Sequence, residues 1–78
     1  MQLDEIKALI ETGLPGSQAL VGGDGYHYQV TVTWEQFNGM SQVKRQQQVY
    51  GCLQANIASG ALHAISMKTY TPDEQKRA

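Results

Sequence analysis

Two histidines and one aspartate are the residues of this sequence whose types and spacing could carry chemistry. His63 lies at the mouth of one predicted strand, and Asp24 and His27 lie at the start of another. Neutral imidazole is the commonest protein ligand for metal ions. A histidine at the mouth of a strand can instead close the rim of the core, with a ring nitrogen bonded to the backbone, and an exposed strand histidine can have no role. The residue types alone leave these alternatives open.

The order of the predicted strands could bring these three side chains together. If the second and third strands are parallel neighbours that start at the same sheet edge, Asp24, His27 and His63 converge there. Two imidazoles would resemble the nitrogen half of a Rieske-type iron–sulfur centre, which also needs two sulfur ligands. The chain has one cysteine, so a partner with thiols would have to supply the sulfurs.

Other kinds of active site find little support in the sequence. Serine, histidine and acidic residues are not spaced as in a catalytic triad, and no glycine-rich phosphate loop opens a helix. Cys52 is expected to be a small apolar residue on a helix rather than a nucleophile. We therefore predict that the protein is not an enzyme.

Nucleic-acid binding is a second function that the sequence leaves open. Residues 22–25 spell G-x-x-G, the clamp of KH domains, but that clamp joins two helices and this segment joins two strands. Lys44 and Arg45 form an adjacent basic pair on a predicted helix, where a charge pair is usually a solvated face. The formal net charge is −1, so DNA binding would depend on that local pair.

Length and composition predict one cytoplasmic domain spanning residues 1–78. Hydrophobic residues make up 41% and charged residues 17% of the chain, which is typical of a globular protein. No apolar run reaches the roughly 20 residues of a membrane span, and the N-terminus is acidic where a signal peptide would be basic. We expect no membrane association and a monomer when no partner is bound.

Hydrophobic periodicity and turn residues predict an α+β fold with the element order α-β-β-α-α-β-α. The expected elements are a helix from Leu3 that Gly13 and Pro15 end, strands at Ser17–Val21, Tyr26–Trp34 and Leu62–Tyr70, a helical segment from Ser41 to Gly60, and a final helical turn from Pro72. A long helical connection favours parallel pairing of the last two strands. Helices should then cover one face of a three-stranded mixed sheet and leave the other face open.

The central helical segment predicts a core-facing side and a break. Val43, Tyr50, Leu53 and Ile57 recur at helical spacings, which favours their burial. Gly51 costs about 1 kcal/mol relative to alanine inside a helix and could divide the segment into a helix-turn-helix. In the last strand His63 has the parity of Ile65 and Met67, which predicts that it is semi-buried.

Three segments of the chain together resemble the BolA family. They are GDGYHYQV (residues 23–30), FNGMSQVKRQQQVY (residues 37–50) and LHAISMKTYTP (residues 62–72). The resemblance implies a fold related to type II KH domains. It also implies a monothiol glutaredoxin partner and a bridging [2Fe–2S] cluster, for which glutaredoxin cysteine and glutathione give the sulfurs.

The same resemblance implies which residues of this chain meet the cluster. His63 matches the family's C-terminal histidine, whereas Asp24 stands where the cysteine of cysteine-type members would fall, so His27 is the nearest nitrogen donor. BolA-like proteins are also viewed as transcription regulators, but the basic run of relatives is less positive here, at Lys44 and Arg45 followed by three glutamines.

The leading hypothesis is thus an adaptor for iron–sulfur trafficking that uses His63 and His27. The runner-up is a DNA-binding regulator that uses Lys44 and Arg45, and a third alternative is a protein-interaction module with an open sheet face and no metal.

Overall fold

The computed structural model describes residues 1–78 and contains three helices and three strands. The elements in chain order are α1 (Leu3–Gly13), β1 (Gln18–Gly23), β2 (His27–Thr33), a 3-10 turn (Glu35–Phe37), α2 (Gln42–Ala58), β3 (Ala64–Tyr70) and α3 (Pro72–Arg77). The predicted α+β class is confirmed. None of these helices is long and apolar enough to cross a membrane.

The three strands form one mixed sheet in the order β1-β2-β3. β1 and β2 are an antiparallel hairpin, in which Gln18 is opposite Thr33. β2 and β3 are parallel, with His27 opposite Ala64, so both strands begin at the same end of the sheet. The predicted parallel pairing is confirmed, and the crossover that makes it possible contains α2.

Alternation along β2 gives the sheet one packed face and one open face. Tyr28, Val30 and Val32 are buried, whereas His27 and Gln29 on the opposite face are exposed. Helices α1 and α2 cover the packed face. The 12 residues of the hydrophobic core are Ile6, Ile10, Leu14, Ala19, Tyr28, Val30, Val32, Trp34, Phe37, Val49, Leu53 and Leu62.

Helix α2 is a single helix of 17 residues that runs through Gly51. The prediction of a break into a helix-turn-helix is wrong, and the chain has one helix between β2 and β3. Val49 and Leu53 are fully buried two residues before and after Gly51, and their packing outweighs the cost of about 1 kcal/mol for the glycine. The predicted ends are confirmed: the Ser41 hydroxyl accepts a hydrogen bond from the N–H of Lys44 (3.2 Å), and Gly60 has φ +84°.

The side of α2 that faces the core differs from the predicted one. Val43, Tyr50 and Ile57 are 64%, 40% and 37% exposed, so the prediction that they face the core is wrong. Two sets of residues recur at helical spacing on this helix, and the set that is buried includes a charged residue. The buried side chains of α2 are those of Arg45, Val49 and Leu53.

Helices α1 and α2 approach closely where Gly13 faces Cys52. A Cβ atom on Gly13 would lie 2.6 Å from the Cys52 Sγ, which is closer than side-chain atoms can pack without a shift. The thiol is half-buried, and this burial raises its pKa. The structure therefore places Cys52 as a small packing residue on a helix, as predicted.

Candidate functional site

The loop between β1 and β2 is a tight turn built on two glycines and one aspartate. Gly23 and Gly25 have φ angles of +152° and +93°, a region that residues with a Cβ rarely adopt. Oδ1 of Asp24 accepts hydrogen bonds from the N–H groups of Tyr26 (3.0 Å) and His27 (2.9 Å). The hydrogen bond from His27 and then that from Tyr26 lower the pKa of the Asp24 carboxyl. The aspartate therefore fixes the turn from which β2 starts.

A buried tyrosine joins this loop to the core. The hydroxyl of Tyr28 lies 2.9 Å from the carbonyl oxygen of Met1 and 3.1 Å from that of Gly25. The ring of Tyr28 is 1% exposed. The loop is therefore connected both to the start of α1 and to the packed face of the sheet.

His27 is the first residue of β2 and lies on the open face, as predicted. Its Nε2 is 3.0 Å from the Oγ of Ser66 on β3, and the tautomer decides which of the two groups donates. The parallel register places Ser66 opposite Gln29, so the contact crosses diagonally between the strands. One nitrogen of His27 is therefore engaged by a neighbouring side chain, and the other is left for another partner.

His63 lies one residue before β3 and is exposed. The expectation that His63 is semi-buried on the same face as Ile65 is wrong. β3 begins at Ala64, so His63 lies outside the strand and does not follow its alternation. The neighbouring Leu62 is buried instead (2% exposed), and its N–H donates to the carbonyl of Asn56 (3.1 Å) in the last turn of α2. The His63 ring stacks on Tyr26, with ring centroids 5.5 Å apart and planes 20° apart.

The hairpin loop and the start of β3 thus meet at one end of the sheet, as the strand order predicts. His27 is opposite Ala64, and the residue before each of them contributes one ring to the Tyr26–His63 stack. Asp24, His27 and His63 do not converge into a ready-made metal site as expected, because the structure contains no group of three or more His, Cys, Asp or Glu side chains arranged to hold a metal ion. We call the set Asp24, Tyr26, His27, His63 and Ser66 the hairpin-end site.

Sequence reasoning missed two members of the hairpin-end site. Tyr26 was expected to be part of the second strand, and its position beside His27 was the only signal that it belongs to the loop. Ser66 carried no signal of its own, since its contact with His27 depends on the register between β2 and β3.

The atoms of this site that could bind a metal ion are nitrogens and oxygens, and none is a sulfur. The His63 side chain makes no hydrogen bond within the chain, so both of its ring nitrogens are free. Cys52 packs against Gly13 at the far end of α1, whereas the loop is connected to Met1 at its near end. The 11 residues of α1 make these ends roughly 16 Å apart. The site therefore offers imidazole nitrogens but no thiol, so any iron–sulfur cluster bound here would have to take its sulfur ligands from another molecule.

Arg45 is buried and belongs to the packing of α2 rather than to a basic surface. Its guanidinium donates to both carboxylate oxygens of Glu74 (2.6 and 3.3 Å), its Nε donates to the Met40 carbonyl (3.1 Å), and its Cζ lies 5.7 Å from the centre of the Phe37 ring. The hydrogen bonds from Arg45 and, to a smaller extent, from the Thr71 N–H lower the pKa of the Glu74 carboxyl to about 2.

The expected basic pair is therefore not present on the surface. Lys44 is exposed, but Arg45 has its hydrogen-bonding groups turned inward. A contact between Arg45 and nucleic acid stays a prediction that this burial disfavours, because a phosphate contact would require the guanidinium to leave Glu74. Of the two cations that the DNA-binding alternative uses, only Lys44 is exposed.

Comparison with known proteins identifies close relatives along the whole chain. The model of the BolA-like protein family matches residues 11–74. The acid stress protein IbaG of Escherichia coli (strain K12) is 46% identical over 77 residues, which cover 99% of this chain and 92% of the relative. The structure of a BolA protein homologue from Coxiella burnetii has a TM-score of 0.88 at 40% identity and 99% coverage of both chains. BolA1 from Arabidopsis thaliana has a TM-score of 0.79 at 26% identity, over 92% of this chain and 93% of that one.

Proposed function

The chain belongs to the BolA family, and from this premise we propose that it is a non-enzymatic partner of a monothiol glutaredoxin with which it shares a bridging [2Fe–2S] cluster. In this proposal the glutaredoxin cysteine and glutathione supply the sulfurs. This chain supplies imidazole nitrogen at the hairpin-end site, and the cluster is a cargo that the two proteins hold between them.

The exposed ring of His63 is the observation that carries the proposal. A histidine that served only to close the core would be buried and bonded to the backbone. His63 is instead exposed, has both nitrogens free and stands at the end of the sheet where a second protein can approach it. An imidazole in this state can take an external metal centre without first breaking a bond within its own chain.

His27 is the proposed second donor, with one nitrogen restricted. Its Nε2 is 3.0 Å from the Ser66 hydroxyl, an arrangement that resembles the hydrogen bond that most metal-binding histidines make with their other ring nitrogen. Asp24 is a weaker candidate, because its Oδ1 already accepts two backbone hydrogen bonds that hold the loop.

Acid sensitivity would follow from imidazole ligation. An imidazole must be neutral to bind iron, so protonation competes with the cluster and acid favours its release. The relative from E. coli is named an acid stress protein, and we propose that a shared cluster of this kind gives the present chain its link to acid stress.

The test is a titration of holo monothiol glutaredoxin with this protein, followed by visible absorption and circular dichroism. The wild type should change the cluster spectrum until one equivalent is bound, and His63→Ala should fail to produce that change. Gln29→Ala is the matched control, because Gln29 is also exposed, on the open face of β2, and the proposal gives it no role as a ligand.

Far-ultraviolet circular dichroism shows whether each variant is folded. A spectrum that does not respond to folded wild-type protein, or that responds equally to wild type and His63→Ala, would contradict the proposal.

A further inference from the structure

We propose that Tyr26 is the positioning residue of this site and that its ring orients the imidazole of His63 toward an incoming iron. The effect of Tyr26 on cluster binding rests on the proposed function, whereas the stack of Tyr26 on His63 is already present in the free protein. Tyr26 and His63 are stacked with their centroids 5.5 Å apart and their planes 20° apart.

The backbone of Tyr26 is held by the hairpin turn. Its N–H donates to Oδ1 of Asp24 (3.0 Å), and the next residue, His27, starts β2. Glycines with positive φ stand on either side of Asp24. The backbone beneath the tyrosine ring is therefore held by the same turn that begins the strand.

The tyrosine ring adds little to the core of the protein. Tyr26 is 68% exposed, and the only aromatic ring that it contacts is that of His63. This large aromatic side chain is mostly in solvent and stacks on a candidate ligand. Its contact therefore affects the position of that ligand more than the stability of the fold.

Stacking restricts the imidazole without blocking it. The lone pair and the N–H bond of a neutral imidazole both lie in the plane of the ring, so a tyrosine against one face leaves the nitrogens open at the ring edge. An exposed histidine with no hydrogen bond would otherwise sample several rotamers and lose that freedom on binding. Because the stack already restricts the imidazole in the free protein, less side-chain entropy is lost on binding. The affinity for the partner therefore rises without a new contact to it.

Two substitutions separate the ring from its hydroxyl. Tyr26→Phe keeps the aromatic face, and Tyr26→Leu keeps an apolar side chain without it. In the free protein, proton NMR should show ring-current shifts of the His63 ring protons in the wild type and in Tyr26→Phe, and the shifts should be absent in Tyr26→Leu. This measurement does not depend on iron or on a partner.

In the titration with holo glutaredoxin, Tyr26→Leu should bind roughly three- to tenfold more weakly than the wild type, the range that an aromatic pair contributes. Tyr26→Phe should bind like the wild type. The cluster spectrum at saturation should match the wild-type spectrum in both variants, because His63 is still the ligand.

The outcomes distinguish failure of the inference from failure of the proposed function. If the wild type does not alter the cluster spectrum, the proposed function fails, and the role of Tyr26 in binding fails with it. If the wild type responds and His63→Ala does not, the function stands, and equal affinity of Tyr26→Leu and wild type would overturn the positioning role alone. Absence of the ring-current shift in the free wild-type protein would also overturn it.

Discussion

At the scale of single residues, the two histidines of the hairpin-end site are held in different ways. His63 is stacked through its ring face and has free nitrogens, whereas His27 is held through one nitrogen by Ser66. In the tautomer in which the Nε2–H group donates to Ser66, Nδ1 carries the lone pair and is the nitrogen of His27 that can meet a metal. The two imidazoles are therefore not equivalent donors.

Ser66 should support cluster sharing through His27. We predict that Ser66→Ala weakens the interaction with holo glutaredoxin severalfold, because the loss of one hydrogen bond of about 1 kcal/mol frees the ring to rotate. Ser66→Thr keeps the hydroxyl and should bind like the wild type. The measurement is the same spectroscopic titration, carried out also in a His27→Ala background, where Ser66→Ala should have no further effect.

A tighter complex with Ser66→Ala would contradict this arrangement. It would mean that Nε2 of His27 must leave Ser66 before it can ligate, and hence that Ser66 competes with the cluster.

At the scale of elements, two side chains of α1 bind the backbone of Ala19 on the free edge of the sheet at β1. Lys7 donates to the Ala19 carbonyl (2.8 Å), and Glu11 accepts from the Ala19 N–H (2.9 Å), while the two side chains also bond to each other (2.8 Å). The hydrogen bond from Lys7, followed by that from Ala19, lowers the pKa of the Glu11 carboxyl. Edge strands with unpaired backbone groups invite pairing with other chains, and this ion pair occupies the groups of Ala19.

The last helix depends on a contact with α2. α3 has six residues, too few to be stable alone. The side chain of Glu74 accepts from the Thr71 N–H (2.8 Å), and its own N–H donates to the Thr71 hydroxyl (3.2 Å). Because the same carboxylate binds Arg45, one side chain both caps α3 and fastens it to the start of α2.

This contact should appear in the pH dependence of stability. The pKa of Glu74 is about 2 in the fold, against an ordinary value of 4.5. A carboxyl with a lowered pKa stabilises the fold fully above its unfolded pKa and loses that contribution as the pH falls through the folded value. The difference in free energy of unfolding between wild type and Glu74→Gln should therefore be constant above pH 4.5 and shrink toward pH 2.

Urea unfolding at several pH values measures this difference. Arg45→Met provides the control, because it keeps an apolar side chain over Phe37 but removes the charge. Glu74→Gln should have a much smaller effect in that background. Parallel pH profiles for wild type and Glu74→Gln would contradict the assignment of the shifted carboxyl.

At the scale of the whole molecule, the topology that makes the site could be predicted from the sequence. Alternation in β2 indicated its packed and open faces, and the long helical connection indicated the parallel partner β3. These two features place His27 and the residue before Ala64 at one end of the sheet. The general location of the site follows from patterns that extend over many residues, which is why it was predictable.

The errors come from features that a hydrophobic pattern does not contain. Arg45 is buried because a carboxylate, a carbonyl and an aromatic ring satisfy it, and these partners lie on other segments of the chain. The exposure of His63 depends on the connection between α2 and β3, which includes His63 because the strand begins at Ala64, and the Tyr26 stack depends on how that connection meets the hairpin loop. The burial of Arg45, the exposure of His63 and the stack of Tyr26 all depend on partners that are distant in sequence. Neither periodicity nor residue type could therefore predict them.

The central claim is that an imidazole of this chain binds iron of a cluster shared with glutaredoxin. The most direct measurement is pulsed electron paramagnetic resonance of the reduced complex, prepared from this protein with its histidines labelled with the heavy nitrogen isotope and from unlabelled glutaredoxin. The account predicts a strong hyperfine coupling to the labelled nitrogen in the wild-type complex that is reduced or lost with His63→Ala. Only weak coupling, identical in the two complexes, would contradict it.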